Sequence, residues 1–357
     1  MAAEIAKEAP ETGPPEKAAP LKDTPIVLVI SCGGTVTSVA EDPTDVQKMY
    51  TMGAFNAEAF RSRVAPQLGQ RVNLRFHDFA ETGTGSPDFG SDQWLELARY
   101  LLAESTRPFD GLVLLVGTDV IEFAFFLYHV IALRIPVVLT GAYRPPTSMS
   151  PDGDRNVYQA ILVAMSKLSW DRGVLWVSND TISSAYYVDK HHANRPGAIH
   201  AGDAGYLGHI VDKKDVRYNY GPSLPTDPRI SIYLQEVKDL PRVDILKGYP
   251  GSTVDLFFAA VEKAEDPARG IILEGMGAGS WSTKPGKEIM EYSKPRQFPV
   301  IVCRGPEEGH VSGAFVYGLG DGCIGGGNLS SLKAWVKLRL LLCKGASYEE
   351  IKKAFSY

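Results

Sequence analysis

Short apolar runs return along the chain at intervals long enough to hold a helix between them: Ile26 to Ile30, Leu112 to Val116, Val137 to Thr140, Val174 to Ser178, Ile271 to Leu273 and Val300 to Val302. The stretches between them include SDQWLELARYLLAES, VIEFAFFLYHVIALR and NVYQAILVAMSKL, where apolar side chains recur with helical spacing. Runs this apolar suit strands covered on both faces, and crossover helices supply the cover. The alternation predicts an α/β fold of βαβ units around a mainly parallel sheet, with right-handed crossovers.

The rhythm breaks once. From Ser178 to Leu240 the chain turns polar and turn-rich, ending in the proline group NYGPSLPTDPR, and after Asp244 the βα alternation resumes. With 357 residues there is room for two domains. The reading is a large N-terminal catalytic domain over 24–225, a linker over 226–242 and a smaller C-terminal α/β domain over 243–357. Residues 1–23, rich in Ala, Pro, Glu and Lys, are expected to form a disordered lead-in.

Composition excludes several classes. A net charge of -5 argues against a general nucleic-acid surface. No apolar run approaches the roughly 18 residues of a membrane span, and no basic segment followed by an apolar one opens the chain. Cys32, Cys303, Cys323 and Cys343 form no CxxC pair, so they read as thiols of a reducing, cytoplasmic setting. No HExxH or comparable ligand set is present, His191 and His192 are adjacent and make a poor metal pair, and GGGN near 325 lacks the context of a dinucleotide site. Neither metal nor cofactor is expected.

Two threonines leave apolar strands on glycine-bearing turns: Thr35 in PIVLVISCGGTVTS, and Thr118 with Asp119 in GLVLLVGTDVIEF. Ligands of open α/β sheets bind at the carboxyl ends of strands, so both hydroxyls are delivered toward one reaction centre. Gly34 and its neighbour allow a sharp turn with N–H groups suited to an oxyanion, and Thr35 can attack a carbonyl once a base takes its proton. Each motif also has a plain structural reading. Thr35 could simply hydrogen-bond within its turn, and Thr118 or Asp119 could cap the following helix. Lys167, ending NVYQAILVAMSKL among apolar neighbours, is a candidate base, or it merely complements a helix dipole. The segment VVLTGAYRPPTSMSPDGDRN, with Arg144, Ser150, Asp152, Gly153 and Asn156, reads as scaffolding for the site.

In order, GGTV, VGTDV, VVLTGAYRPPTSMSPDGDRN, the AMSK lysine followed by RGVLWVSND, and GIILEGMGAGS resemble the bacterial-type L-asparaginase/glutaminase family, from about Pro25 to the C-terminus. The resemblance implies a threonine amidohydrolase cleaving a side-chain amide through an acyl-enzyme, with a small-molecule substrate. It implies Thr35 as nucleophile, Tyr50 on a closing loop that assists it, Thr118, Asp119 and Lys167 as an activating triad, and Ser86 as a ligand of the substrate carboxylate. Gly34 and Asp119 join the substrate-binding set. Ser280 stands where the family often carries an asparagine that reaches a neighbouring subunit's site, so a homodimer or homotetramer with sites between subunits is implied.

The chain departs from the family where HGTDT becomes VGTDV, placing Val116 and Val120, and where Pro87 follows Ser86. These changes motivate one alternative, hydrolysis of, or acyl transfer from, a larger or more apolar amide; a non-catalytic small-molecule binding homologue is a second alternative.

Overall fold

The computed structural model describes residues 24–44, 50–51, 54–79, 86–212 and 215–356. The expected disordered lead-in, residues 1–23, lies outside them.

The first half of the chain builds an eight-stranded sheet from β1 (Ile26–Ser31), β2 (Asn73–Asp78), β3 (Gly111–Leu115), β4 (Val137–Thr140), β5 (Val174–Ser178), β6 (Thr181–Ser184), β7 (Gly208–Val211) and β8 (Asp215–Tyr218), in the order β8-β7-β6-β5-β4-β3-β1-β2. The five strands from β2 to β5 along this order pair in parallel, and β6, β7 and β8 extend the sheet in antiparallel fashion. Every residue of β3, β4 and β5 is buried, as strands covered on both faces must be. Helices α1 (Ala59–Leu68), α2 (Ser91–Glu104), α3 (Glu122–Val130) and α4 (Gly153–Ala164) supply the cover.

The second half forms a separate parallel sheet, β9 (Asp244–Lys247), β10 (Ile271–Glu274), β11 (Val300–Cys303) and β12 (Ile324–Gly325), with α5 (Thr283–Arg296) and α6 (Ser331–Cys343). The architecture is the α/β arrangement expected: a large, mainly parallel sheet and a smaller C-terminal domain.

Helix α3 shows why the halves do not separate. Its sequence, EFAFFLYHV, has apolar residues on nearly all sides, a pattern that only a fully enclosed helix satisfies. Phe123, Phe125, Phe126 and Leu127 are 0% exposed. One hydrophobic cluster runs from Leu112 and Leu114 through this helix to Ile272, Ile301 and Leu338 of the C-terminal domain. Each phenylalanine so buried contributes about 1.5–3 kcal/mol relative to exposure.

Polar side chains also clasp the connecting segment. Arg99 donates to the carbonyls of Leu234 and Val237, Arg339 to those of Leu240 and Pro241, and Trp335 Nε1 to that of Val243. Asp227 and Lys337 of α6 form an ion pair of 2.6 Å with side chains only 6% and 3% exposed, and Lys337 also donates to the Ala354 carbonyl.

Removing one partner of such a pair strands the other charge away from water. Asp227→Ala is therefore expected to lower unfolding free energy by about 3–5 kcal/mol in urea denaturation. Arg134→Ala, which breaks the exposed pair with Asp171, is expected to leave the midpoint in place.

Candidate functional site

The strand order reverses beside β1: the chain passes from β1 to β2 on one side, then returns to β3 on the other. A crevice opens at the carboxyl ends of strands flanking such a reversal. Thr35 follows β1 and Thr118 follows β3, so the two turns singled out by sequence flank that point.

The strand exits are joined through their backbones. Cys32 N–H donates to the Leu115 carbonyl at 2.8 Å, and Val116 N–H to that of Thr140 at 2.9 Å. Gly34 has φ 86°, and a Cβ on it would stand 2.6 Å from both Cα and N of Gly117. No other residue type fits there without moving one turn off the other. The Gly34 carbonyl accepts from the hydroxyls of Thr37 at 2.9 Å and Ser38 at 3.0 Å, which fixes the half-buried Thr35 between them.

Thr118 is 6% exposed and Asp119 faces outward. The lysine that meets them is Lys190. Its Nζ donates to Thr118 Oγ1 at 3.1 Å and to Asp119 Oδ1 at 2.5 Å, and lies 5.0 Å from the centre of the Tyr143 ring. Lys190 sits in a short antiparallel ladder, Asp189–Lys190 against Ile199–His200. Its neighbour Asp189 accepts from Lys333 of α6 at 3.0 Å and from Ser330 at 3.3 Å. The C-terminal domain thus anchors the ladder that carries Lys190.

A lysine bridging a hydroxyl and a carboxylate can, when neutral, take the hydroxyl proton, or, when charged, stabilise developing negative charge. Helix capping is not what this turn provides. The N-cap of α3 is Ile121, which makes no side-chain cap bond. Thr118, Asp119 and Lys190 open onto a cavity of about 610 Å³ that Glu122 and Asp189 line from the N-terminal domain and Arg304 from the C-terminal one.

Lys167 is not brought to this turn, contrary to the sequence-based expectation. It is exposed on the turn Lys167–Ser169, after α4 and before β5. A crossover helix runs back antiparallel to its strands, and the Ala164 carbonyl at the end of α4 packs against Gly111, the first residue of β3, so this end lies at the amino edge of the sheet. The scaffolding segment is where the sequence suggested. Asp152 accepts from the N–H groups of Tyr143 and Arg144, Arg144 donates to the Ser150 carbonyl, and Asn156 bridges the Gly141 carbonyl and the Asn179 N–H. A Cβ on Gly153 would stand 3.1 Å from Val36, one residue past Thr35.

For Tyr50 and Ser86 the backbone is described: Tyr50 pairs with Ala40, and Ser86 opens the turn Ser86–Asp88. Ser280 belongs to the C-terminal domain, where its N–H donates to the Met276 carbonyl at 2.7 Å, and it does not line the Thr118 cavity. Val116 and Val120 are 2% and 8% exposed within the core beside Cys32, so they do not make the cavity more apolar. Burial pushes the Cys32 thiol up, which leaves no thiolate there.

Sequence reading missed Lys190, Tyr143 and Glu122. For Lys190 a signal existed: YVDKHHAN follows the exit of β5 and β6 and pairs a lysine with an acid in a turn-rich segment. Among the described residues, no group of three or more His, Cys, Asp or Glu is placed to hold a metal, and no helix is long and apolar enough to cross a membrane.

Comparison with known proteins bears on the family and the fold. Residues 26–224 match the family model described as asparaginase, N-terminal, and residues 242–355 match the glutaminase/asparaginase C-terminal domain. Probable L-asparaginase 4 of Schizosaccharomyces pombe is 32% identical over 93% of this chain and 90% of its own length. L-asparaginase 2 of Escherichia coli is 29% identical over 93% of each chain. The crystal structure of a probable cytoplasmic L-asparaginase from Campylobacter jejuni superposes with a TM-score of 0.83 and 29% identity, covering 93% of this chain and all of that one. Two family models in tandem, relatives matched along nearly their whole length and a shared fold lead to one conclusion: the chain belongs to the asparaginase/glutaminase family and is an asparaginase-like amidohydrolase.

Proposed function

We propose that the chain hydrolyses the side-chain amide of asparagine or a close relative through a threonine acyl-enzyme. The observation that carries this reading is Lys190 Nζ bridging Thr118 Oγ1 and Asp119 Oδ1 beside the turn of Thr35. Thr35 Oγ1 adds to the amide carbon, its proton passes to a base, and backbone N–H groups near Gly34 hold the oxyanion. The base returns that proton to the amide nitrogen, and collapse expels ammonia and leaves an ester on Thr35. Water then attacks that ester, and Thr118 with Lys190 and Asp119 takes and returns the proton. Asp119, the more exposed partner of Lys190, binds the substrate ammonium.

Tyr50 and Ser86 remain in this proposal as the loop tyrosine and the carboxylate ligand. The alternative of a larger or more apolar amide loses the support of Val116 and Val120, whose side chains belong to the core. The free, mostly buried cysteines favour a reducing compartment such as the cytoplasm.

We further propose that the active protein is a homodimer or homotetramer. Ser280 stands apart from the Thr118 cavity of its own chain, and Leu256, Phe315 and Tyr317 of the same domain are 66%, 63% and 65% exposed. Sedimentation equilibrium is expected to return a mass of two or four chains. An active monomer would overturn this.

Ammonia release from asparagine and glutamine tests the chemistry. Thr35→Ala and Lys190→Met are each expected to lower kcat by at least ~10²–10⁴-fold, the scale of a lost acid–base group, while Lys167→Met retains full turnover. Equal activity in Lys190→Met and the parent would sink the assignment. Gly34→Ala is expected to abolish turnover by parting the two turns, which a crystal structure of the variant would record as a displaced Thr35.

A further inference from the structure

The amino group of Lys190 carries three N–H groups as an ammonium, and two beside a lone pair as an amine. Two neighbours engage its Nζ directly: Thr118 Oγ1 at 3.1 Å and Asp119 Oδ1 at 2.5 Å. A third is the Tyr143 ring, whose centre lies 5.0 Å from Nζ, within the distance at which a ring face attracts a cation. The proposed chemistry gives this tyrosine no part.

Tyr143 is held from both ends. Its N–H donates to the Asp152 carboxylate at 3.1 Å, and its hydroxyl donates to the His192 carbonyl at 3.3 Å, two residues past Lys190. Burial, followed by the carboxylates of Asp119 and Asp152, pushes that hydroxyl up, so it keeps its proton and acts as a donor rather than a base. Gly141, two residues earlier, is in close contact with Thr118: a Cβ on it would stand 3.2 Å from the threonine methyl. The exit of β4 therefore packs on Thr118 with its glycine and faces Lys190 with its tyrosine. Tyr143 does not line the 610 Å³ cavity, so its influence on a substrate held there passes through Lys190.

We propose that Tyr143 is a positioning residue for Lys190: its ring and the Asp119 carboxylate take the two N–H groups of the neutral amine, which leaves the lone pair aimed at Thr118 Oγ1. In the proton transfer the Thr118 O–H bond breaks and an N–H bond forms on Nζ. The resulting ammonium has one N–H on each of the three neighbours. Without the ring, the amine is free to turn about its last C–N bond, and the lone pair spends less time facing the hydroxyl. Because this role rests on Lys190 accepting a proton, one readout needs no turnover.

Two variants separate the ring from the hydroxyl. Tyr143→Phe keeps the ring and loses the bond to His192, and Tyr143→Leu loses both. Tyr143→Leu is expected to lower kcat about 10-fold with KM little changed. Tyr143→Phe is expected to hold kcat within about threefold of the parent. Equal losses in the two variants would assign the effect to the hydroxyl and overturn the role of the ring, as would parent activity in Tyr143→Leu. Should Tyr143→Leu not fold, Tyr143→Met carries the same comparison.

Crystal structures of the same variants supply the readout without turnover. Lys190 Nζ is expected to keep its 3.1 Å contact with Thr118 Oγ1 in Tyr143→Phe and to leave hydrogen-bonding distance in Tyr143→Leu. An unmoved Nζ in Tyr143→Leu would overturn the proposal whether or not any amide is hydrolysed. Absence of turnover in the parent would instead count against the amidohydrolase chemistry, and the position of Nζ would still decide the role of Tyr143.

Discussion

The site depends on one contact between two stretches of backbone. Gly34 and Gly117 lie so close that a single methyl group on Gly34 would part them, and this closeness sets two threonines from different βα units on one crevice. A third strand exit joins them, since a Cβ on Gly141 would stand 2.6 Å from the Val116 carbonyl and 3.2 Å from the Thr118 methyl. Neighbouring parallel strands already bring their exits together. The glycines remove the side-chain layer that would otherwise hold the turns apart.

The electrostatics are built on that backbone frame from farther along the chain. Lys190 is 72 residues from Thr118 in sequence. Its strand is held through Asp189 by Lys333 and Ser330, both from the C-terminal domain. Among the described residues that domain makes no hydrogen bond to Thr118, yet it fixes the element that carries the lysine. The two domains therefore share one constellation: the N-terminal domain supplies the hydroxyls, and the C-terminal domain holds the lysine in register with them.

What was legible in the sequence follows the range of the interactions. The α/β fold, Thr35 and the Thr118–Asp119 turn were readable because strand, glycine and hydroxyl are contiguous, and the chain's own stiffness places them. Asp152 and Asn156 were readable as scaffolding because their loop was too polar for a plain connection. Lys190 was not, because a two-residue ladder has no periodicity and its partners are set by tertiary packing. The choice of Lys167 erred on a point of geometry: a helix that returns across a parallel sheet ends at the edge opposite the crevice. Val116 and Val120 misled for a related reason. Val116 follows the last residue of β3 and Val120 comes just before α3, and packing of the strand end and the helix start draws both side chains into the core.

The segment that joins the domains reads in sequence as a proline-rich linker, but arginines, a tryptophan and a buried ion pair hold its backbone along much of its length. A joint gripped at so many points does not act as a free hinge. The spacing of the two domains at the cleft is then set by the same contacts that fold the joint. Selection by bulk falls to the short segments around the strand exits, where a change of one loop can retune what enters without disturbing either core.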